Sequence, residues 1–383
     1  MNILFLSSWY PTKSNPNFGI FVKEHAHAIQ LKNNIVVLAC VINKTSDIFS
    51  KTITDTIDES GMRTVLIEIN TRFNDILHYI LPLQYLIIHR VLRKNIAPHF
   101  TPDIVHSNVI FPSGIIGNYL SLSIKKPHII TEHWSRIEGL LNKPFLSDIA
   151  VNSYKNASRI LPVSEFLMNR MKTILPTVEA TKFRVVGNVI DSEQFHFKAK
   201  KRIDNSLRFC AIAAWSNKKI PDKKPELFIE ALSLLQKQIN QTIILTMIGD
   251  GDKVLELQDL CIEKGIHADF TGYLDKPEIA KILQSTDFFI HASTIETFGI
   301  VIAEALLCGT PVICSNVGAL PELINQSNGI LCENTIDGWV TGLHKIVSCN
   351  FYHAEIAGSI QQKFSKENIS RELNDIYLEV IER

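Results

Sequence analysis

The sequence contains no Cys-x-x-Cys pair. Its seven cysteines, Cys40, Cys210, Cys261, Cys308, Cys314, Cys332 and Cys349, are odd in number and scattered. Neither a disulfide framework nor a thiolate zinc site is expected, and a reducing compartment suits the chain. A long apolar run is also missing. The largely apolar stretch from Ile76 to Leu92 is interrupted by His78, Pro82, Gln84 and His89, which is not the pattern of a membrane span. At the N-terminus, "MNILFLSSWYP" has no basic flank and only four consecutive apolar residues, too few for a secretory leader. A cytoplasmic location is the expectation. Low-complexity tracts and short-period repeats are absent as well.

Net charge is zero, 39 Lys and Arg against 39 Asp and Glu, but the balance hides an asymmetry. Residues 1–190 carry 20 basic and 13 acidic side chains, a net +7, and residues 191–383 carry 19 and 26, a net −7. A basic first half suits an anionic partner such as phosphates or a lipid surface; the alternative is chance asymmetry with attraction between the halves. At 46% hydrophobic and 20% charged residues, the 383-residue chain is an ordinary globular protein. It is also too long for one core, which implies two domains.

What the sequence does contain is short apolar, β-branched runs alternating with helical periodicity. Strands are expected at Ile3–Ser7, Ile35–Val41, Thr64–Ile69, Ile104–Ser107, His128–Glu132, Arg159–Val163 and Phe183–Val186, with helices at Phe21–Lys32, Ile76–Asn95, Gly114–Ser123 and Glu165–Ile174. The pattern restarts at "LRFCAIAAW" after a lysine-rich segment, Lys198–Asp204, read as a linker. Strands then follow at Ile243–Ile248, Asp269–Thr271, Phe288–His291 and Pro311–Cys314, and helices at Glu226–Gln236, Val254–Lys264, Ile279–Gln284 and Ile300–Leu307. Strands alternating with helices make mainly parallel, doubly covered sheets. The expected architecture is α/β: two Rossmann-like, doubly wound domains facing across a cleft, residues 1–190 and 205–365, with a C-terminal helix over 366–383 packing back on the first.

In such sheets ligands bind beyond the carboxyl ends of the strands. "HASTIETFGIVIAEALLCGTPVICSNVGALPELI" places a strand end, a loop and a helix start there. Backbone N–H groups at Phe298, Gly299 and Ile300 are unpaired at a helix start, where the helix dipole favours phosphate. Glu304, about one and a half turns along, can reach a sugar diol attached to that phosphate, and Glu296 lies on the other side of the phosphate. Glu304 sits among apolar residues on most sides of its helix, so a buried carboxylate in need of partners is expected. Two solvated glutamates at a helix end are the plainer alternative.

The Glu296 to Glu304 spacing, seven residues with Phe-Gly inside and a following "EALLCGTPV", resembles the signature of the family 4 glycosyltransferases. "SSWYPTKSNPNFGIFVKEHAHAI", "TEHW", "PVSE", "VVGNVID", "KKPELFIEAL" and "MIGDGD" resemble further segments of that family. The resemblance implies the GT-B fold, a nucleotide-diphosphate sugar as co-substrate, no further cofactor, and retention at the anomeric carbon. It further implies a polysaccharide or lipid-linked acceptor, with no nucleic acid partner. It assigns Glu304 to the ribose hydroxyls and Glu296 to the donor sugar near the reacting carbon. Phe298, Gly299 and Ile300 would offer backbone amides, Lys223 would meet the diphosphate, His133 the sugar near its anomeric carbon, and Gly19 would let the first domain's backbone approach the phosphate.

The chain departs from the family pattern where an arginine usually precedes the lysine. It has "AAWSNKKIPDKK" there, with Trp215 near the expected place and Lys218 or Lys219 as alternative charges. No D-x-D pair ends a strand, so no metal is expected. His25 and His27 point to different sides of a helix and are expected at the surface or between domains. The basic segment Arg72–His99 suits either an anionic membrane face, making the protein peripheral there, or a core helix. A nucleotide-sugar 2-epimerase and a non-catalytic nucleotide-sugar-binding subunit are the rival functions.

Overall fold

A computed structural model describes residues 1–199, 204–216 and 223–382 of the chain. It divides into two compact units, Met1–Val189 together with Lys366–Arg383, and Ile190–Ser365.

The first unit holds β1 (Asn2–Ser7), β2 (Asn34–Lys44), β3 (Ser50–Ile57), β4 (Arg63–Thr71), β5 (Ile104–Asn108), β6 (His128–Glu132) and β7 (Arg159–Pro162). They form one sheet in the order β3-β4-β2-β1-β5-β6-β7. Every neighbouring pair is parallel except β3 with β4. Without β3 this is the Rossmann order, with its switch point between β1 and β5. The central strands are buried almost throughout, all but Asn2 at the start of β1, because helices cover both faces and leave no polar side. β3, "SKTITDTI", is exposed almost throughout. Its Thr, Lys and Asp side chains suit a solvent-facing edge, and the same polarity hides it from a search for apolar runs.

The expected helix over Ile76–Asn95 is broken. The chain forms Asn74–Leu77, then Leu81–Val91, then a π-helical turn, Leu92–Ile96. Pro82 explains the first break: lacking an N–H, it fits the opening turn of a helix and not an interior. The expected strand Phe183–Val186 reduces to a single bridge, Ile160 to Phe183. One sequence-distant segment completes this unit. Helix Lys366–Ile381 packs on helix Ile20–Gln30, and the buried Tyr377 hydroxyl lies 2.6 Å from His106 Nδ1, whose Nε2 lies 2.7 Å from Thr131 Oγ1.

The second unit holds β8 (Leu207–Ile212), β9 (Ile243–Ile248), β10 (His267–Gly272), β11 (Phe288–His291), β12 (Val312–Ser315) and β13 (Gly329–Cys332). Their order is β10-β9-β8-β11-β12-β13, all parallel. This is the Rossmann order again, with the switch point between β8 and β11. The unit begins earlier than the lysine-rich segment suggested: Ile190 donates its N–H to Phe364 O, Phe195 is fully buried and Lys276 pairs with Asp191 at 3.2 Å. Residues 200–203 of the expected linker lie outside the described residues.

Candidate active site

The second unit's switch point opens where the loops after β8 and β11 leave adjacent strands. Lys223 ends the first of these loops. An antiparallel bridge to Ser293 and the Lys224 N–H to Ala292 O bond, 3.2 Å, tie it to the chain leaving β11. Pro225 then opens helix Pro225–Gln236, using the N1 position where its missing N–H costs nothing. His291 is the last residue of β11, and Glu296 lies five residues on.

These three side chains converge. His291 Nε2 lies 2.8 Å from Glu296 Oε1, Lys223 Nζ pairs with the same oxygen, and Nζ and Nε2 are 3.2 Å apart. All three are largely buried. Burial on its own would raise the Glu296 carboxyl. The His291 hydrogen bond and the Lys223 charge outweigh it and hold the group at about 2. His291 is shifted below its ordinary value, first by burial and then by Lys223. A neutral imidazole therefore donates from Nε2, and an ammonium joins it on one ionised carboxylate oxygen.

Helix Ile300–Leu307 begins just after this cluster. Gly299 is its N-cap at φ 93°, left-handed backbone that favours glycine, and no side chain caps the first N–H groups. At the far end, Gly309 N–H bonds Leu306 O at 2.8 Å and Thr310 N–H bonds Ala305 O at 3.0 Å, the paired bonds of a Schellman close. Phe298 turns its ring onto Phe364, centroids 5.1 Å apart, which leaves only its backbone for a ligand. The expectation that Glu304 is buried is corrected: it is half-buried. Ile302, Ala303, Ala305, Leu306 and Leu307 face the core, while Ile300, Val301 and Glu304 share the more open side. An apolar sequence on most sides thus does not bury every side of the helix.

In the first unit His133 follows β6. It is buried, its Nε2 lies 3.3 Å from Asn108 Oδ1 at the end of β5, and its pKa is pushed well below the ordinary value by burial and then by the nearby His25. His25 is itself fully buried, packs edge-on against His133 at 5.4 Å and lies 3.2 Å from Gly187 O. This corrects the surface placement expected for it. His27 instead pairs with Asp58 at 3.1 Å.

Glu132, the residue before His133, anchors this end of the sheet. Its carboxylate accepts from Ile110 N at 2.9 Å, His133 N at 3.0 Å, Trp134 N at 2.8 Å and Tyr154 OH at 2.9 Å. Burial raises it to about 7 despite those four donors. Gly19 caps helix Ile20–Gln30 at φ 70°, and a Cβ there would lie 2.4 Å from the Trp9 carbonyl. The close approach that requires glycine is to the chain's own loop.

The structure therefore brings Lys223 and Glu296 together, sets Phe298, Gly299, Ile300 and Glu304 on the adjoining helix start, and places His133 and Gly19 in the first unit. Sequence reasoning missed His291, Glu132 and His25. The signal for the first two was position: a polar side chain ending a buried strand. Trp215, near the expected arginine, is buried in the core and brings no charge; Lys218 and Lys219 lie outside the described residues. Among the described residues no three His, Cys, Asp or Glu side chains are grouped as metal ligands.

A carboxyl whose pKa is lowered by folding adds stability that is present above its unfolded value, 4.5, and is lost as pH falls towards its folded value, about 2. Wild type and Glu296→Gln should therefore differ in melting temperature at pH 6, with the gap closing as pH falls from 5 towards 3. A gap that does not change with pH would show that the carboxylate is not held ionised by its neighbours.

Two family models match the chain: Glycosyltransferase Family 4 over residues 55–194 and Glycosyl transferases group 1 over residues 211–367. An uncharacterised glycosyltransferase of Methanocaldococcus jannaschii is 27% identical over 66% of this chain and 67% of its own length. The alpha-monoglucosyldiacylglycerol synthase of Streptococcus pneumoniae is 25% identical over 75% of this chain and 68% of its own. The crystal structure of Anabaena HepE with UDP and glucose superposes with a TM-score of 0.72, covering 99% of this chain and 100% of that one at 18% identity. With one glycosyltransferase model on each Rossmann-like unit, the two together spanning most of the chain, the chain belongs to the family 4 glycosyltransferases.

Proposed function

We propose that the protein transfers a sugar, with retention and without a metal, from a nucleotide-diphosphate sugar to a glycan or lipid-linked acceptor. The observation that carries this reading is the Lys223–His291–Glu296 cluster at a Rossmann switch point, next to the start of helix Ile300–Leu307. As the bond from the anomeric carbon to the phosphate oxygen breaks, charge collects on the departing diphosphate. The helix N-terminus and the Lys223 ammonium supply fixed positive potential at that place. Glu304, on the accessible side of the helix, takes the ribose hydroxyls. Glu296 keeps Lys223 in position and turns its second oxygen to the donor sugar. His133, neutral by burial, hydrogen-bonds the sugar without adding charge. The acceptor oxygen bonds to the anomeric carbon on the face from which the phosphate departs and gives its proton to the leaving phosphate oxygen, so the configuration is retained.

The glycolipid-forming relative and the UDP-bound neighbour support a nucleotide donor and a lipid-borne acceptor. So does the surface of the first unit. Helix Leu81–Val91 and the turn after it border a concavity of about 910 Å3 lined by Lys51, His89, Arg90, Arg93 and Lys94. Ile76, Tyr79, Leu83 and Leu86 are exposed in the same stretch. Cations beside bare apolar side chains suit the anionic cytoplasmic face of a membrane. Among the described residues no helix is long and apolar enough to cross one.

Calorimetry in EDTA tests the donor site. A nucleotide sugar should bind wild type in the chelator, and Glu304→Ala should weaken binding by about 1–3 kcal/mol, the range for a hydrogen bond to a charged group. Binding that needs added magnesium, or an unchanged affinity in the variant, would overturn the reading. For the surface, reversing Arg90, Arg93 and Lys94 should reduce sedimentation with phosphatidylglycerol vesicles by roughly 1 kcal/mol per charge and leave donor affinity alone. Wild type that ignores such vesicles at low salt would remove the membrane from the account.

A further inference from the structure

The first unit carries another concavity, apart from the Lys223–His291–Glu296 cluster of the second. It measures about 200 Å3 and lies at the carboxyl end of the sheet, where Ser8 and Trp9 follow β1, Phe111 follows β5 and Trp134 follows β6. Phe18, Val41, Ile42, His78 and Pro112 complete the wall. The volume is below the roughly 300–1,000 Å3 of sites for drug-sized ligands and fits a single ring.

The chemistry of the wall narrows the occupant. Trp9 and Phe18 meet at 49° with centroids 6.2 Å apart, and Phe111 is backed by Tyr79 at 5.5 Å, so flat apolar faces stand on more than one side. Among the described residues no Lys, Arg, Asp or Glu lines the pocket. His78, the one titratable residue in the lining, is held below its ordinary value by burial, against the pull of Asp75, and is neutral at pH 7. Ser8 Oγ is buried with no hydrogen-bond partner among the described residues. A buried hydroxyl left unpaired is costly, which points to a ligand atom that completes it.

We propose that this pocket holds one uncharged sugar ring of the acceptor, its C–H faces against Trp9, Phe18, Phe111 and Trp134 and one of its hydroxyls bonded to Ser8 Oγ. Aromatic faces with a single placed polar group are how an apolar site orients a small ligand. A phosphate or carboxylate would enter without a counter-charge and lose its hydration. The cations suited to such groups line the other concavity, at Lys51, Arg90 and Arg93. The assignment rests on the transferase reading and specifies its acceptor: the sugar that receives the transfer is neutral, whatever charge lies further along the molecule.

Saturation-transfer NMR tests it with four probes: methyl α-D-glucopyranoside, methyl α-D-mannopyranoside, glucuronate and glucose 6-phosphate. At least one neutral glycoside should receive saturation on its ring C–H protons, and the two anions should receive less than a third as much. Ser8→Ala and Trp9→Ala should each lower the neutral signal threefold or more. Ser8→Ala removes one oxygen atom and serves where Trp9→Ala does not fold. No signal from either neutral glycoside, anions that bind as well, or a folded Ser8→Ala with full signal would overturn the proposal. Calorimetry with UDP, ADP and GDP on the same samples separates the two ideas. Nucleotide binding without sugar binding sinks the pocket alone, and sugar binding without nucleotide binding sinks the donor reading.

Discussion

A buried carboxylate must find partners, and the second unit is organised around meeting that need at Glu296. An ionised carboxylate in a low-dielectric interior is unfavourable by several kcal/mol unless charge and hydrogen bonds offset it. Here one oxygen draws Lys223 from the loop after β8 and His291 from the end of β11. The Glu296 carbonyl accepts from Ala319 N–H in the loop after β12 at 2.9 Å. Chain leaving three neighbouring strands is fixed by one residue. The helix start at Gly299 stands three residues further on, so its direction depends on the same contacts.

The first unit solves the same problem without a cation. Glu132 also ends a buried strand, and four N–H and O–H donors from the chain around it converge on its carboxylate. N–H and O–H donors from the chain leave Glu132 raised to about 7, whereas the His291 hydrogen bond and then the Lys223 charge hold Glu296 at about 2. The difference matches their tasks. Glu132 shapes the loops that present His133, Trp134 and Phe111, and needs no ligand to do so. Glu296 holds an ammonium whose charge can be shared with an incoming anion.

Much of this was legible in the sequence because the strands of a parallel sheet are apolar on both faces. His128–Glu132, Ile243–Ile248 and Phe288–His291 emerge with the boundaries the composition suggests. The edge strand Ser50–Ile57 was not legible, since a strand with one solvated side carries no apolar run, and Pro82 was outvoted by the periodicity around it. Within the site, Glu296, Gly299 and Glu304 stood out through spacing, whereas His291 and Glu132 did not. A polar residue at a strand end looks the same whether it is solvated or clamped, and only the fold shows what faces it. Glu304 was misjudged because apolar neighbours in sequence were taken for apolar neighbours in space. The open side of its helix depends on where the sheet ends, which no local window records.

The central claim is that the Lys223 ammonium, steadied by Glu296, receives the leaving diphosphate. Titration of UDP, ADP and GDP into wild type and into Lys223→Met, with circular dichroism showing that the variant is folded, tests it most directly. The account predicts that the nucleotide which binds wild type loses about tenfold or more in affinity, as removal of a charged hydrogen-bond donor implies. A folded Lys223→Met that binds the same nucleotide as tightly as wild type would contradict it.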